Sequence, residues 1–308
     1  MAGIDKDDVL ASHLRLQTYS LGVREPQLPG APATCDPPAG LAGPVDADVL
    51  AAQVAALPDS QHLLASGGLS VWVARANQAP AVIEEIGRLR EATFRAVGEG
   101  TGQLTDIDDF DSHYEHLFIW IEAAREIVGA YRIGRADEIL RRRGLYTHSL
   151  FRFDRRFFGQ IPAALELGRS FVRAEHQRSF APLLLLWKGI AAYVARHPRF
   201  RVLFGAVSIS NDYHALSKEF LCDFLSREHF AADLARCVRP RNRVRRRFSL
   251  KTLTYPWAGP DCIDALSEVV SRIEPDGKGI PVLLRQYLKL GGRIAGFNVD
   301  PAFSDSID

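Results

Sequence analysis

The sequence predicts a three-layer α/β fold: helices flank a mixed, mostly antiparallel sheet whose central strand is bulged and splayed from its neighbour. Three observations carry this reading. The elements alternate as helix, antiparallel hairpin, strand, helix, strand, helix, without the regular βαβ repeat or the G-x-G-x-x-G turn of a dinucleotide-binding sheet. "RVLFGAVSIS" is apolar almost throughout, as expected of a strand covered on both faces. "LELGRSFV" sets Glu166 three residues before Arg169 in an otherwise buried run. Side chains three apart on a regular strand point to opposite faces, so these two share a face only if the strand bulges, most cheaply at Gly168.

The elements follow in order. Residues 26–44 hold six prolines among Gly and Ala, a composition that cannot bury enough surface to fold. Residues 1–59 therefore read as an N-terminal segment and linker, with a short helix in "DADVLAAQVAAL", and residues 60–308 as the compact domain. "GLSVWVAR" is a strand. "AVIEEIGRLREATFRAVG" spaces Ile83, Ile86, Leu89, Phe94 and Val97 on one helical face and ends at Gly98. "YEHLFIWI" and "REIVGAYRIG" form a hairpin, and "ALELGRSFV" is the next strand. A helix from about Phe180 to Arg196 is capped by Ser179, tolerates Pro182 in its first turn and stops before Pro198. After "RVLFGAVSIS", Asn211 or Asp212 caps a helix carrying Leu216, Phe220 and Phe224. "DALSEVVSRI" is helical, and "GIPVLLRQYLKLGGRIAGFNV" reads as helix, turn and strand.

Composition excludes several classes. With 47% hydrophobic and 24% charged residues the chain is that of an ordinary globular protein, and a net charge of +1 gives no global sign of a nucleic-acid binder. The charge is uneven: residues 1–60 carry three basic and eight acidic groups, and the remainder is net basic. The four cysteines lack metal-site or disulfide-scaffold spacing, which fits a reducing cytosol. "MAGIDKDDVL" has no apolar core and is no signal peptide. "LLLLWKGIAAYVA" contains Lys188 and is too short to span a bilayer, so a buried helix is the better reading.

A bulge in "LELGRSFV" frees backbone N–H groups that can meet a developing oxyanion. Downstream, a helix N-terminus with Arg178 suits an anionic phosphate. The strand ending in Val172, followed by Arg178-Ser179-Phe180-Ala181, resembles the donor-binding motif of the GNAT acyltransferases, Gln/Arg-x-x-Gly-x-Gly/Ala. It departs from that motif with Ala181 at the first glycine and Leu183 at the second small position. A broader set, "LREATF", "DDFD", "HLFIW", "IVGAYR", "LELGRSFV", the "LLLLWKGI" helix, "LFGAVSIS" and "IPVLLRQYLKLGG", resembles the long-chain N-acyl amino acid synthases over roughly residues 60–308. These are the GNAT-like, often hemolysin-like, enzymes of ornithine- and glycine-lipid synthesis. A shorter likeness runs to the acyl-homoserine-lactone synthases, whose functional pattern maps onto Arg90, Phe94, Asp108, Asp111, Arg132, Glu166 and Arg169. "DVLASHLRLQTYSLG" resembles the segment that joins such a domain to a phospholipid-type acyltransferase, so a piece of a longer bifunctional protein is expected.

The resemblance implies transfer of a fatty acyl chain from acyl carrier protein to a small amine, with acyl-coenzyme A as the alternative donor. It implies no metal or redox cofactor beyond the donor's phosphopantetheine thioester. A non-catalytic acyl-binding domain is the reading from another class. Glu166 is the candidate base, directly or through a water, with Arg169 and Arg132 organising the site, against a structural carboxylate paired with a buried arginine. His116 is a second base, a hydrogen-bond partner for Glu166, or structural. Asp108 and Asp111 position the acceptor's ammonium or hold Arg90 and Arg132 in a charged cleft, or else lie in a solvated loop; Arg90, Phe94 and Arg132 complete the implied substrate-binding set. A metal site at Asp106, Asp108, Asp109 and Asp111 lacks the glycine and terminal glutamate of a calcium loop. Phe171, Val172, Arg178 and Ser179 are the implied donor-binding residues. An apolar tunnel from the "LLLLW" helix and the splayed strands would set chain length. No G-x-S-x-G elbow is present. The seven arginines between Arg236 and Arg247 suit acidic carrier protein or anionic headgroups of the inner membrane face, or form a solvated loop. They lack the interleaved aromatics of a nucleic-acid platform.

Overall fold

In a computed structural model the described residues are 40–142, 144–177, 180–245 and 262–308. The chain enters through α1 (Ala47–Ala55), capped by the Asp46 carboxylate, which accepts from the N–H of Asp48 and Val49 at 2.8 and 3.2 Å. Leu50 and Val54 of α1 are buried in the core beneath α2 (Pro80–Arg95). The compact body therefore begins before residue 60, because two apolar side chains at helical spacing find a partner there. β1 (His62–Ser66) and β2 (Leu69–Arg75) turn on Gly67 and Gly68 at φ 61° and 79°, the left-handed pair that a two-residue hairpin needs. The sequence pattern marks only β2; β1 is half exposed and carries no alternation that announces it.

A six-stranded sheet follows in the order β1-β2-β3-β4-β6-β7. β3 (Glu115–Ile121) and β4 (Glu126–Arg135) form the expected hairpin, and β6 (Ala164–Val172) pairs antiparallel with β4. β5 (Phe151–Phe153) lies outside this sheet, and β7 (Val202–Phe204) runs parallel to β6. α2 covers one face, over Phe118, Trp120, Ala130 and Phe171. α3 (Ala181–Arg196) covers the other, over Leu117, Ile119, Leu165 and Leu167, and so completes three layers. Phe180 stands at the α3 cap without a side-chain hydrogen bond; the expected cap, Ser179, lies outside the described residues.

The bulge is present, one residue later than expected. Arg132 faces Gly168 and Ala130 faces Phe171, so one residue of β4 between them opposes two of β6, Arg169 and Ser170. Arg169, not Gly168, takes the left-handed conformation, at φ 50°. The extra residue reverses the alternation of β6: Leu165 and Leu167 face α3, whereas Phe171 faces α2.

β7 is shorter than the apolar run suggests. Only Val202, Leu203 and Phe204 pair with β6, and Gly205 to Ser210 continue apart from it, touching strand pairing again only at a bridge from Ile209 to Ile307. Beyond this edge sits an additional helical core of α4 (Ala215–Glu228), α5 (Cys262–Ile273) and α6 (Val282–Lys289), built on Leu216, Phe220, Phe224, Leu266 and Leu284. The α4 cap is His214, whose Nδ1 accepts from Leu216 N, in place of Asn211 or Asp212. β8 (Val238–Pro240) pairs with β5, and β9 (Val299–Asp300) with β10 (Ser306–Ile307). Among the described residues no helix is long and apolar enough to cross a membrane.

Gly205 fixes how closely β7 leaves β6, since a Cβ there would lie 2.0 Å from the Leu167 carbonyl oxygen. Gly205→Ala should destabilise the fold by about 1–3 kcal/mol in urea unfolding, as overpacking does.

Candidate active site

The face of the sheet beneath α2 gathers the charged residues. His116 on β3 lies opposite Arg132 on β4, and Arg132 lies opposite Gly168 on β6. The bulge then brings Arg169 to the side that carries Glu166. From above, Arg90 of α2 descends between the acids of the 106–111 loop. Its Nε donates to Asp106 at 2.9 Å, and its Nη1 and Nη2 grip the Asp111 carboxylate at 3.1 and 2.9 Å. Arg132 donates to Asp108 at 2.7 Å and lies 3.4 Å from Asp111. Arg169 lies 3.2 Å from Asp106 and 3.7 Å from Asp108.

The loop is thus no solvated turn, and its acids are committed to arginines rather than grouped around a common centre. Asp108 caps its short turn by accepting from Phe110 and Asp111 N–H, while Asp111 accepts from Asp108 N–H at 2.8 Å. Only Asp109 of the four acids is exposed. Burial alone would push the Asp111 carboxyl up, but Arg90 and Arg132 together hold it well below the usual carboxylate range. The same acids raise Arg132 above its ordinary value, although burial opposes this.

His116 turns to this network, not to Glu166: its Nε2 is 3.1 Å from the Asp111 carbonyl oxygen. Burial pushes it down to about 4 against the pull of Asp111, so the ring is neutral near pH 7. Phe94, at the end of α2, meets Phe303 edge-on at 6.1 Å.

Glu166 and Arg169 share a face but form no pair. Glu166 Oε1 accepts from Thr147 N at 2.8 Å, and Oε2 accepts from Tyr146 N at 3.2 Å and from the Tyr114 hydroxyl. No arginine among the described residues forms an ion pair with it. The Arg132 and Arg169 guanidinium carbons lie instead 5.1 and 5.2 Å from the centroid of the Tyr146 ring. Arg169 also lies 4.5 Å from the Phe303 ring. Among the described residues Arg132 Nη2 and Arg169 Nε are buried without a hydrogen-bond acceptor, and Arg169 Nη1 meets the Asp106 carboxylate only as an ion pair. Burial pushes the Tyr146 phenol up to about 12, so it stays protonated.

A cavity of about 580 Å³ opens beside this wall, between β7 with its continuation and α6. Trp187, Leu203, Phe204, Val207 and Tyr287 give it an apolar lining, and Thr147 and Asp308 line it too. The "LLLLW" helix contributes only Trp187: Leu185 and Leu186 pack into the sheet, and Leu184 is exposed.

Of the expected donor-binding residues, Phe171 is buried under α2, and the Val172 carbonyl accepts from Gln177 Nε2 at 2.7 Å. Arg178 and Ser179 lie outside the described residues. So do Arg246 and Arg247 of the basic run; Arg236, Arg239, Arg241, Arg243 and Arg245 are exposed. Along β8 the alternation is direct: Val238 faces the cavity, while Arg239 sits outside, opposite Arg152 of β5. Asp106, Tyr114, Tyr146, Thr147 and Asp308 have no part in the sequence reading of the site beyond Asp106 as a metal candidate. Of these, Tyr146 and Thr147 in "LYTHS" stand out only as polar residues between apolar runs.

A curled, mostly antiparallel sheet with a bulged strand splaying from a parallel neighbour, and a charged wall beside an apolar cavity, defines a GNAT-fold acyltransferase. Residues 89–188 match the acetyltransferase (GNAT) domain family. A glycine N(alpha)-acyltransferase of Phocaeicola vulgatus is 31% identical over 255 residues, 76% of each chain. One from Bacteroides thetaiotaomicron is 32% identical over 255 residues, 76% of this chain and 74% of its own. An L-ornithine N(alpha)-acyltransferase of Rhizobium meliloti is 29% identical over 227 residues, 70% of this chain and 69% of its own. No solved structure matches the chain significantly. The chain belongs to the GNAT N-acyl amino acid synthase family.

Two outcomes test the network. Asp111→Asn removes one of the two carboxylates that each of buried Arg90 and Arg132 answers and should cost about 3–5 kcal/mol in urea unfolding, whereas exposed Asp109→Asn should change stability by no more than about 0.5 kcal/mol. A histidine that ordinarily titrates at 6.5 but at about 4 when folded contributes stability that is complete above 6.5 and lost as pH falls toward 4. His116→Gln should therefore flatten the fall of the thermal midpoint across that window.

Proposed function

We propose that the chain transfers a long acyl group from a carrier-bound thioester to the α-amino group of a small amino acid, giving an N-acyl amino acid. The observation that carries this is a largely apolar cavity lined by Thr147, whose chain neighbour Tyr146 carries the buried Arg132 and Arg169 against its ring. A cavity of about 580 Å³ falls within the range that holds a ligand of drug size. Arg169 Nε and Arg132 Nη2, which carry N–H groups without a carboxylate partner among the described residues, suit the carboxylate that every amino acid carries. The named activities of the relatives, on glycine and ornithine, support the same class of acceptor.

In this reading the amine attacks the thioester carbon. A backbone N–H released at the Arg169–Ser170 bulge stabilises the oxyanion, and the thiol leaves. Glu166 acts as a positioning residue: both its oxygens are engaged, and they fix the backbone of Tyr146 and Thr147 at the cavity wall. It is thus a weaker candidate for the base than its sequence position implies. Acyl carrier protein is the donor we favour over coenzyme A, because the exposed arginines of β8 and the residues after it would steer an acidic partner in the cytosol. The same arginines suit anionic headgroups where the product enters a membrane.

Purified protein given palmitoyl-carrier protein or palmitoyl-coenzyme A, each with a pool of amino acids, should form an N-palmitoyl amino acid by mass spectrometry, faster from the carrier and more slowly in high salt. No amide from either donor would refute the reading. Glu166→Gln should lower kcat by about tenfold and leave the pH profile unchanged. Val207→Trp should shift the product to shorter chains, since each methylene excluded from the cavity forfeits about 0.8 kcal/mol.

A further inference from the structure

We propose that Asp308 receives the acceptor's amino group and takes its proton as the amide bond forms. This rests on the reading of the chain as an amino-acid N-acyltransferase and names a residue that reading leaves open.

Asp106, Asp108 and Asp111 answer three arginines, Glu166 accepts three donors, and Glu115 is held by Arg75 and Arg135. Asp308 differs. Its backbone pairs with Asn298 at 2.9 Å in both directions, which clamps the residue, and Ser208 Oγ donates to its Oδ1 at 2.7 Å. Among the described residues its Oδ2 is buried without a hydrogen-bond partner, and the residue lines the apolar cavity. Thr147, 3% exposed and lining the same cavity, also holds an unpartnered hydroxyl, Oγ1. An acceptor of one proton and a group that can donate or accept thus face the space where the acyl chain lies. A buried polar atom left without a partner is destabilising, and a bound amine would relieve that cost.

The groups around Asp308 set its basicity. Burial, with Asp300 on β9 and Glu99 beyond α2, pushes the carboxyl up to about 7, against Ser208 from the continuation of β7 and Arg169 on β6. The Tyr146 phenol lies within reach of the same field and stays neutral. A base poised near neutrality is suited to an amine that must lose a proton to react.

The neutral amine's nitrogen lone pair forms the C–N bond to the thioester carbonyl carbon, and Asp308 Oδ2 takes one N–H proton. Collapse of the tetrahedral adduct breaks the C–S bond, and the proton passes from Asp308 to the departing thiolate, leaving amide and thiol. Arg169, which faces Asp308 electrostatically, takes the acceptor's carboxylate, so the two charged ends of an amino acid meet opposite charges.

The test is kcat against pH at saturating donor. The wild-type rate should rise to a plateau through about pH 7, and Asp308→Asn should lose about 10²–10⁴-fold and that inflection together, with KM for the donor unchanged. Two further variants move the inflection in opposite directions. Ser208→Ala removes a hydrogen bond that favours the carboxylate and should move it to higher pH; Glu99→Gln removes a nearby negative charge and should move it to lower pH. Thermal midpoints close to wild type show that all three fold. Amide formation by Asp308→Asn at the wild-type rate and with the wild-type profile would overturn the proposal alone. A wild-type chain that forms no amide would overturn the reading of the whole site, and this proposal with it.

Discussion

Arg169 holds a left-handed backbone conformation in the middle of β6, and the geometry of the site follows from that one extra residue. A non-glycine side chain at such a φ costs about 1–3 kcal/mol unless its surroundings over-determine it. Here they do: the guanidinium faces Asp106 and Asp108, and it is stacked between the Tyr146 and Phe303 rings. The bulge turns Phe171 into the α2 core and brings Arg169 to the face of Glu166. Three residues before the bulge the pairing of β6 with β7 has already ended, at Glu166 and Phe204, and the parallel strand departs there and leaves the cavity between itself and α6.

The buried arginines and aspartates do a different job from the apolar core. Replacing such a network by hydrocarbons of similar volume is often neutral or stabilising, so its value lies in specificity rather than stability. Arg90 and Arg132 are each 1% exposed and each answers two aspartates, which pins the 106–111 loop to α2 and β4 at once. Neutral His116 packs against this unit without adding charge. Unused guanidinium N–H groups on Arg132 and Arg169 then remain fixed in direction. That is the property a site needs if it must orient one carboxylate.

Much of this was legible in the sequence because it is local. The β3–β4 hairpin, the α2 and α3 stripes and the need for a bulge all follow from periodicity over a few residues. The bulge position was missed by one residue because Gly168 offers the cheapest backbone, while the structure stabilises Arg169 through partners at positions 106, 108, 146 and 303. Distance along the chain hid the rest. Ser208 and Asp308 meet across 100 residues, and β9 and β10 have two residues each, too short for any alternation to show. Glu166 could be found as a buried acid, but its partners are two backbone N–H groups and a tyrosine, which no residue pattern encodes. The apolar run after Arg201 predicts a strand covered on both faces. It fails as a strand because Gly205 must pass the Leu167 carbonyl and the segment then lines a cavity instead of a ladder.

The central claim is that one site holds the alkyl chain in the cavity and the amino acid against Arg169 and Asp308. A crystal structure with an N-palmitoyl amino acid bound tests it most directly. The account places the chain beside Trp187 and Phe204, the amide nitrogen within hydrogen-bond distance of Asp308 Oδ2, and the carboxylate on Arg169. A chain bound elsewhere, or an amide nitrogen turned to Glu166 with Asp308 untouched, would contradict it.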